Sequence, residues 1–245
     1  MVINDINKWL PIIPDNSIKT HMFCFPFSGS GPSIFKDWQK FMPADIQLCP
    51  VALPGREKRL AEPPIESKNE LLDYLYALLV PYLEQPFILY GHCFGGSIAF
   101  ELALRLQYVG ITPKLLAVSG CKAPHMPPPI RFADLPHDEF VDSLRHFGMV
   151  PETVLNIPDL LSLFLPMLRA DFTIDEQCVY TGKIPVINSP ILVMYGDNDD
   201  IIPFEYIVSW NKYTEKDFRL IKFPGKHIFF TENPAPIIEE IIKNI

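Results

Sequence analysis

The sequence predicts an α/β fold, with a mainly parallel central sheet covered by helices on both faces. Strand-length apolar runs alternate with helical patterns from Met22 onward, which is the signal of repeated β-α-β units. Most of those runs are continuously apolar, as strands buried on both faces must be. With 245 residues, 48% hydrophobic and 20% charged, the chain suits one domain over 1–245 with a sizeable core.

In chain order the strand candidates are HMFCFPF, IQLCPVAL, PFILYG, KLLAVSG, SPILVMYG and DFRLIKFP. Helical spacing between them predicts helices over about 33–42, 68–84, 95–108, 203–213 and 235–244. One stretch breaks the rhythm. After Ser119 the chain runs through APHMPPP, a stiff and extended entry, into two longer helical patterns before strand character returns at Ile191. This stretch reads as a helical lid inserted at 122–183. Its helices, at about 137–147 and 158–178, carry Phe140, Leu144, Phe147, Leu160, Leu163, Phe164, Met167 and Leu168 at roughly helical spacing. Such a face can pack on the domain, roof an apolar pocket, or do both.

A net charge of -8, with no basic run longer than Arg56 to Arg59, argues against nucleic acid or an anionic membrane as partner. The longest apolar stretches, such as Leu75 to Leu83, fall short of the roughly 20 residues of a membrane span. The first twenty residues lack a basic region followed by an apolar one, so no signal peptide is visible and a cytoplasmic protein is expected. Cys24, Cys49, Cys93, Cys121 and Cys178 form no C-x-x-C pair and no Cys/His ligand spacing. Neither a disulfide framework, a metal nor a cofactor is expected, and most of these cysteines should be buried.

The strongest local signal is FILYGHCFGGSIAFELA, in which a strand ends near Tyr90, Gly91-His92-Cys93-Phe94-Gly95 follows, and a helix begins at once. This is the G-x-S-x-G nucleophile elbow of the α/β-hydrolase fold with Cys in place of Ser. The nucleophile of such an elbow sits on a strained turn, and Cβ atoms at 91 and 95 would collide with the neighbouring strand and helix. The turn lifts Cys93 above the carboxyl edge of the sheet and onto a helix N-terminus, which favours a thiolate.

In this fold the chain order is nucleophile, acid, histidine. The strand ILVMYG is followed by Asp197-Asn198-Asp199-Asp200, and the strand RLIKFP by Gly225-Lys226-His227, both at the edge that carries Cys93. His227 is therefore the expected base. His92 should point along the flank of the elbow, while His21, His125, His137 and His146 read as surface or lid residues. A G-x-x-D spacing followed by an apolar pair and Pro selects Asp199 as the acid, with Asp197 and Asp200 as alternatives. The carboxylates not chosen should be solvated or should cap a helix starting near Pro203. An oxyanion needs two backbone donors: the N–H of Phe94, which follows the nucleophile, and one from the loop Phe25-Pro26-Phe27-Ser28-Gly29-Ser30-Gly31, where Phe27 is the expected donor.

Taken together, these segments resemble the type II, or editing, thioesterases that accompany nonribosomal peptide and polyketide synthases. FCFPFSGSGPSIF looks like the family's Phe-Pro-x-Ala-Gly-Gly strand and loop, LPGREKRLAEPP like its Pro-Gly-Arg segment, and YGHCFGG like its elbow. LPHDEFVDSL and FLPMLRADF are similar to its lid helices, and GDNDDIIP and GKHIFF to its acid and histidine loops. The resemblance implies an enzyme that hydrolyses acyl or aminoacyl groups from the phosphopantetheine arm of acyl- or peptidyl-carrier proteins. By position, it implies Cys93 as nucleophile, Asp199 as acid, His227 as base, and Phe27 and Phe94 as oxyanion donors. Cys in place of the usual Ser is a departure. A thiol there is compatible with hydrolysis, with transfer to an amine or alcohol, or with replacement of a serine.

Overall fold

The computed structural model describes residues 5–231 and 233–245; the first four residues of the stretch read for a signal peptide lie outside it. Six strands form one sheet: β1 (Thr20–Phe25), β2 (Ile46–Pro50), β3 (Phe87–His92), β4 (Leu115–Ser119), β5 (Ile191–Gly196) and β6 (Phe218–Phe223). Their order is β2-β1-β3-β4-β5-β6, and every neighbouring pair is parallel. All six expected strands are present, and the fold is that of the α/β hydrolases.

Side chains alternate along the strands between two cores. Phe23, Phe25, Leu89, Leu116, Val118 and Val193 face one, while Met22, Cys24, Ile88, Tyr90, Ala117 and Met194 face the other. The first core is covered by α2 (Lys68–Leu79), α3 (Phe94–Gln107) and α7 (Phe204–Val208), the second by α8 (Ala235–Lys243). The continuous apolar runs follow from this double coverage. Helix α3 is buried around nearly its whole circumference, from Phe94 to Leu104. A helix so enclosed is the central one, and each of its buried Leu, Ile or Phe side chains contributes roughly 1.5–3 kcal/mol.

The helix expected over 33–42 is instead two separate 3-10 turns, Pro32–Phe35 and Trp38–Phe41. A three-residue repeat places Phe35 and Trp38 on one face, with ring centroids 5.1 Å apart and both rings against Tyr90. The expected helix over 203–213 likewise ends early, with α7 passing into a 3-10 turn at Ser209–Lys212. Two four-residue helices, α1 (Ile6–Trp9) and α5 (Glu152–Leu155), have no counterpart in the sequence reading because they are too short to show periodicity.

Between β4 and β5 lie α4 (His137–His146), α5 and α6 (Pro158–Gln177), which share a small core of Phe132, Phe140, Leu144, Leu161, Met167 and Phe172. The apolar face of α6 is turned from the expected one at its start: Leu161 is buried, and Leu163 is exposed. Among the described residues, no helix is long and apolar enough to cross a membrane.

Candidate active site

The strand order reverses at β1, since the chain passes from β1 to β2 on one side and then to β3 on the other. Loops leaving the carboxyl ends of β1 and β3 therefore diverge, opening the crevice in which parallel sheets bind ligands. The loop after β1 holds Phe27 and Ser28, and the turn after β3 holds Cys93.

Cys93 has φ 52° and ψ −119°, a conformation that L residues adopt only under constraint. The constraint is visible in its neighbours. A Cβ on Gly91 would lie 2.1 Å from the carbonyl oxygen of Gly95, and one on Gly95 would lie 2.1 Å from that of Phe25. Both positions require glycine, for the close approach expected from the sequence. The Cys93 N–H donates to the Ser119 carbonyl at 2.9 Å, tying the turn to β4. Cys93 is half-buried, while Cys24, Cys49, Cys121 and Cys178 are buried thiols.

Asp199 follows β5 and His227 follows β6. The His227 Nδ1–H donates to Asp199 Oδ2 at 2.9 Å, and Asp199 Oδ1 accepts from the N–H groups of Ile201 and Ile202 at 2.9 and 3.0 Å. Burial alone would raise the Asp199 carboxyl, but the His227 bond and charge and the two backbone donors outweigh it and hold the carboxyl below its usual range. Burial would lower His227. The charge of Cys93, followed by the Asp199 bond, reverses that and holds the imidazole well above its usual range.

The other two aspartates do different work. Asp197 Oδ1 accepts from the Gly225 N–H at 3.0 Å and braces the two loops, while Asp200 pairs with Lys226 at 3.2 Å on the surface. Neither caps α7, whose N-cap is Pro203. Among the histidines, His21 departs from its expected exposure: it is fully buried at the start of β1, with Nε2 3.1 Å from the Asp15 carbonyl oxygen. His92 is also buried, its ring centroid 4.9 Å from that of His227 and its Nδ1 2.8 Å from Ser119 Oγ. Burial and then the nearby His227 push its titration well below the ordinary range, so His92 is neutral beside His227.

The N–H groups of Phe27 and Phe94 find no acceptor among the described residues. A cavity of about 370 Å³ is lined by Phe27, Ser28, Cys93, Phe147, Phe172 and His227. A narrower cavity of about 50 Å³ shares Cys93, Phe147, Met149 and Phe172 and reaches Ile130 and Phe132. It also holds polar groups that sequence reading missed: Ser97 donates to Asp175 at 2.6 Å, and Lys122 pairs with Asp175 at 3.1 Å. The Ser28 hydroxyl is buried without a partner among the described residues. Also missed was the ion pair between Arg56 and Asp171, although each lies in a segment that carried the family resemblance, LPGREKRLAEPP and FLPMLRADF. Among the described residues, no group of three or more His, Cys, Asp or Glu side chains is arranged to hold a metal.

This arrangement suits acyl transfer: a thiol on a strained turn, an imidazole fixed by a carboxylate, and two backbone N–H groups, at Phe27 and next to Cys93 at Phe94, without an acceptor among the described residues. Residues 20–245 match the family model described as a thioesterase domain. The chain is 34% identical to the gramicidin S biosynthesis protein GrsT of Aneurinibacillus migulanus, over 99% of this chain and 96% of that one. It is 29% identical to the thioesterase PikA5 of Streptomyces venezuelae, over 93% of this chain and 81% of that one. Among solved structures, YbtT, a type II thioesterase from the yersiniabactin NRPS/PKS biosynthetic pathway, superposes with a TM-score of 0.85 at 27% identity, covering 96% of each chain.

Proposed function

The chain belongs to the thioesterase family, and from that premise we propose that it hydrolyses acyl or aminoacyl thioesters on the phosphopantetheine arm of a carrier protein through a covalent acyl-Cys93 intermediate. The observation that carries this reading is the hydrogen bond between His227 and Asp199 in the crevice that Cys93 enters at φ 52°. The carrier protein as partner is supported by a relative named for gramicidin S biosynthesis and by a solved structure named for the yersiniabactin NRPS/PKS biosynthetic pathway.

In this mechanism His227 takes the Cys93 thiol proton as Sγ attacks the thioester carbonyl, and the oxygen that gains the electron pair accepts the N–H groups of Phe27 and Phe94. Collapse breaks the bond to the phosphopantetheine sulfur, which leaves with the proton from His227. Water then gives a proton to His227 and attacks the acyl-Cys93 carbonyl; the C–S bond breaks, and the acid is released with Cys93 restored. Asp199 fixes the tautomer and stabilises the imidazolium. Residues 122–183 act as the lid, with Phe147, Met149 and Phe172 supplying an apolar roof for the acyl chain.

The thiol at position 93 favours a second reading. Acylation exchanges one thioester for another, so the intermediate stays activated toward amines and alcohols, and the same residues would support acyl transfer. Thiol release from acyl-pantetheine thioesters and from acylated carrier protein, with the product identified, tests both readings. Free acid supports hydrolysis, an amide or ester formed with an added acceptor supports transfer, and no thiol release contradicts both.

A further inference from the structure

We propose that Asp171 and Arg56 are positioning residues that hold the oxyanion loop against α6, so that the donor from this loop is in place only when α6 is seated. The inference rests on the reading of the Phe27 N–H as an oxyanion donor. Asp171 lies on α6, 2% exposed, and Arg56 on the loop after β2, 4% exposed. Two parallel bonds join them: Arg56 Nη2 donates to Oδ1 at 2.8 Å and Nη1 to Oδ2 at 2.9 Å. The same carboxylate accepts from the Gly29 N–H at 2.8 Å, and Arg56 Nη1 also donates to the Ser30 carbonyl at 3.2 Å. One ion pair thus grips two consecutive residues of the oxyanion loop, just beyond Phe27.

The contact between loop and helix is also steric. Gly29 has φ 78°, and a Cβ there would lie 2.5 Å from Leu168 Cδ2, one turn before Asp171 on α6. A buried ion pair is a poor source of stability compared with apolar groups of the same volume, because both charges lose their water. Its worth here is geometric: a paired carboxylate and guanidinium set direction as well as distance, which apolar packing cannot. Phe172, the next residue along α6, lines both cavities beside Cys93. A group bound in those cavities therefore acts on the helix that carries Asp171, and a shift of that helix draws the carboxylate from the Gly29 N–H. Oxyanion donors are sensitive to such movement, since a misplacement of about 1 Å can cost about a hundredfold in rate.

The test compares two reactions of Cys93 in Asp171→Asn and Arg56→Lys. Alkylation by iodoacetamide displaces iodide at a saturated carbon and forms no oxyanion, whereas acetyl-thioester turnover must form one. The expected result for Asp171→Asn is a kcat lower by about tenfold to a hundredfold, less than for loss of a whole donor. KM and the alkylation rate should change by less than about threefold. Arg56→Ala should lose turnover in the same way and recover part of it when guanidinium is added. Should Asp171→Asn fail to fold by thermal melting, Arg56→Lys and the guanidinium rescue decide. Unchanged turnover in the folded variants, or a parallel loss of alkylation and turnover, would overturn the proposal. A wild-type protein that alkylates at Cys93 but turns over no thioester would instead sink the function on which it rests.

Discussion

Asp199 receives the Nδ1–H of His227 at 2.9 Å and is the aspartate of its loop that pairs with this imidazole; Asp197 and Asp200 bond to Gly225 and Lys226. Asp199→Asn should therefore lower kcat by about three to four orders of magnitude, through the wrong imidazole tautomer and a less stabilised imidazolium. Asp197→Asn and Asp200→Asn should stay near wild type. A mild Asp199→Asn beside a damaging Asp200→Asn would assign the acid to the wrong carboxylate.

Burial opposes the charged form of His227, while Cys93 first and then Asp199 favour it, with a net rise above the ordinary imidazole range. The unfolded chain releases this proton near its ordinary value, and the folded chain keeps it to higher pH. The contribution to stability is thus complete below about pH 6.5 and is lost as pH rises through the folded value. Cys93→Ala removes the larger of the two favouring influences, so the NMR titration of His227 should move down in that variant. An unmoved midpoint would mean that the thiol and the imidazole do not communicate.

Cys93→Ala should abolish turnover without unfolding the protein, since Gly91 and Gly95 shape the elbow and Ala fits where Cys does. Cys93→Ser should retain some hydrolysis, because His227 can serve either nucleophile. Complete inactivity of a folded Ser variant would point to a site tuned to the thiolate.

Polar substitution of the apolar roof, Phe147→Gln or Met149→Gln, should raise KM for octanoyl thioesters more than for acetyl thioesters. Each further buried CH₂ is worth roughly 0.8 kcal/mol, and a two-carbon group gains little from the roof. Equal losses for both chains in folded variants would make this face purely structural.

The features legible in the sequence were those written locally. The elbow needs Gly91 and Gly95 within five residues, and each strand is a single apolar run; chain order then placed Asp199 and His227 at the same sheet edge. Features joining distant residues were not legible. Arg56 and Asp171 are 115 residues apart, and nothing near either names the other. Helical spacing misread 33–42 because Phe35 and Trp38 fit a three-residue repeat as well as a 3.6-residue one. It also missed Leu161, because α6 carries apolar residues on more than one side and its seat is chosen by the core around Phe132, Phe140 and Phe172.

The central claim, a covalent acyl-Cys93 intermediate, is tested most directly by mass analysis of the protein quenched during reaction with an acylated carrier protein. The account predicts an adduct of the acyl mass on the peptide containing Cys93, absent in Cys93→Ala and formed far more slowly in His227→Ala. Turnover with no adduct at Cys93, undiminished in Cys93→Ala, would contradict it.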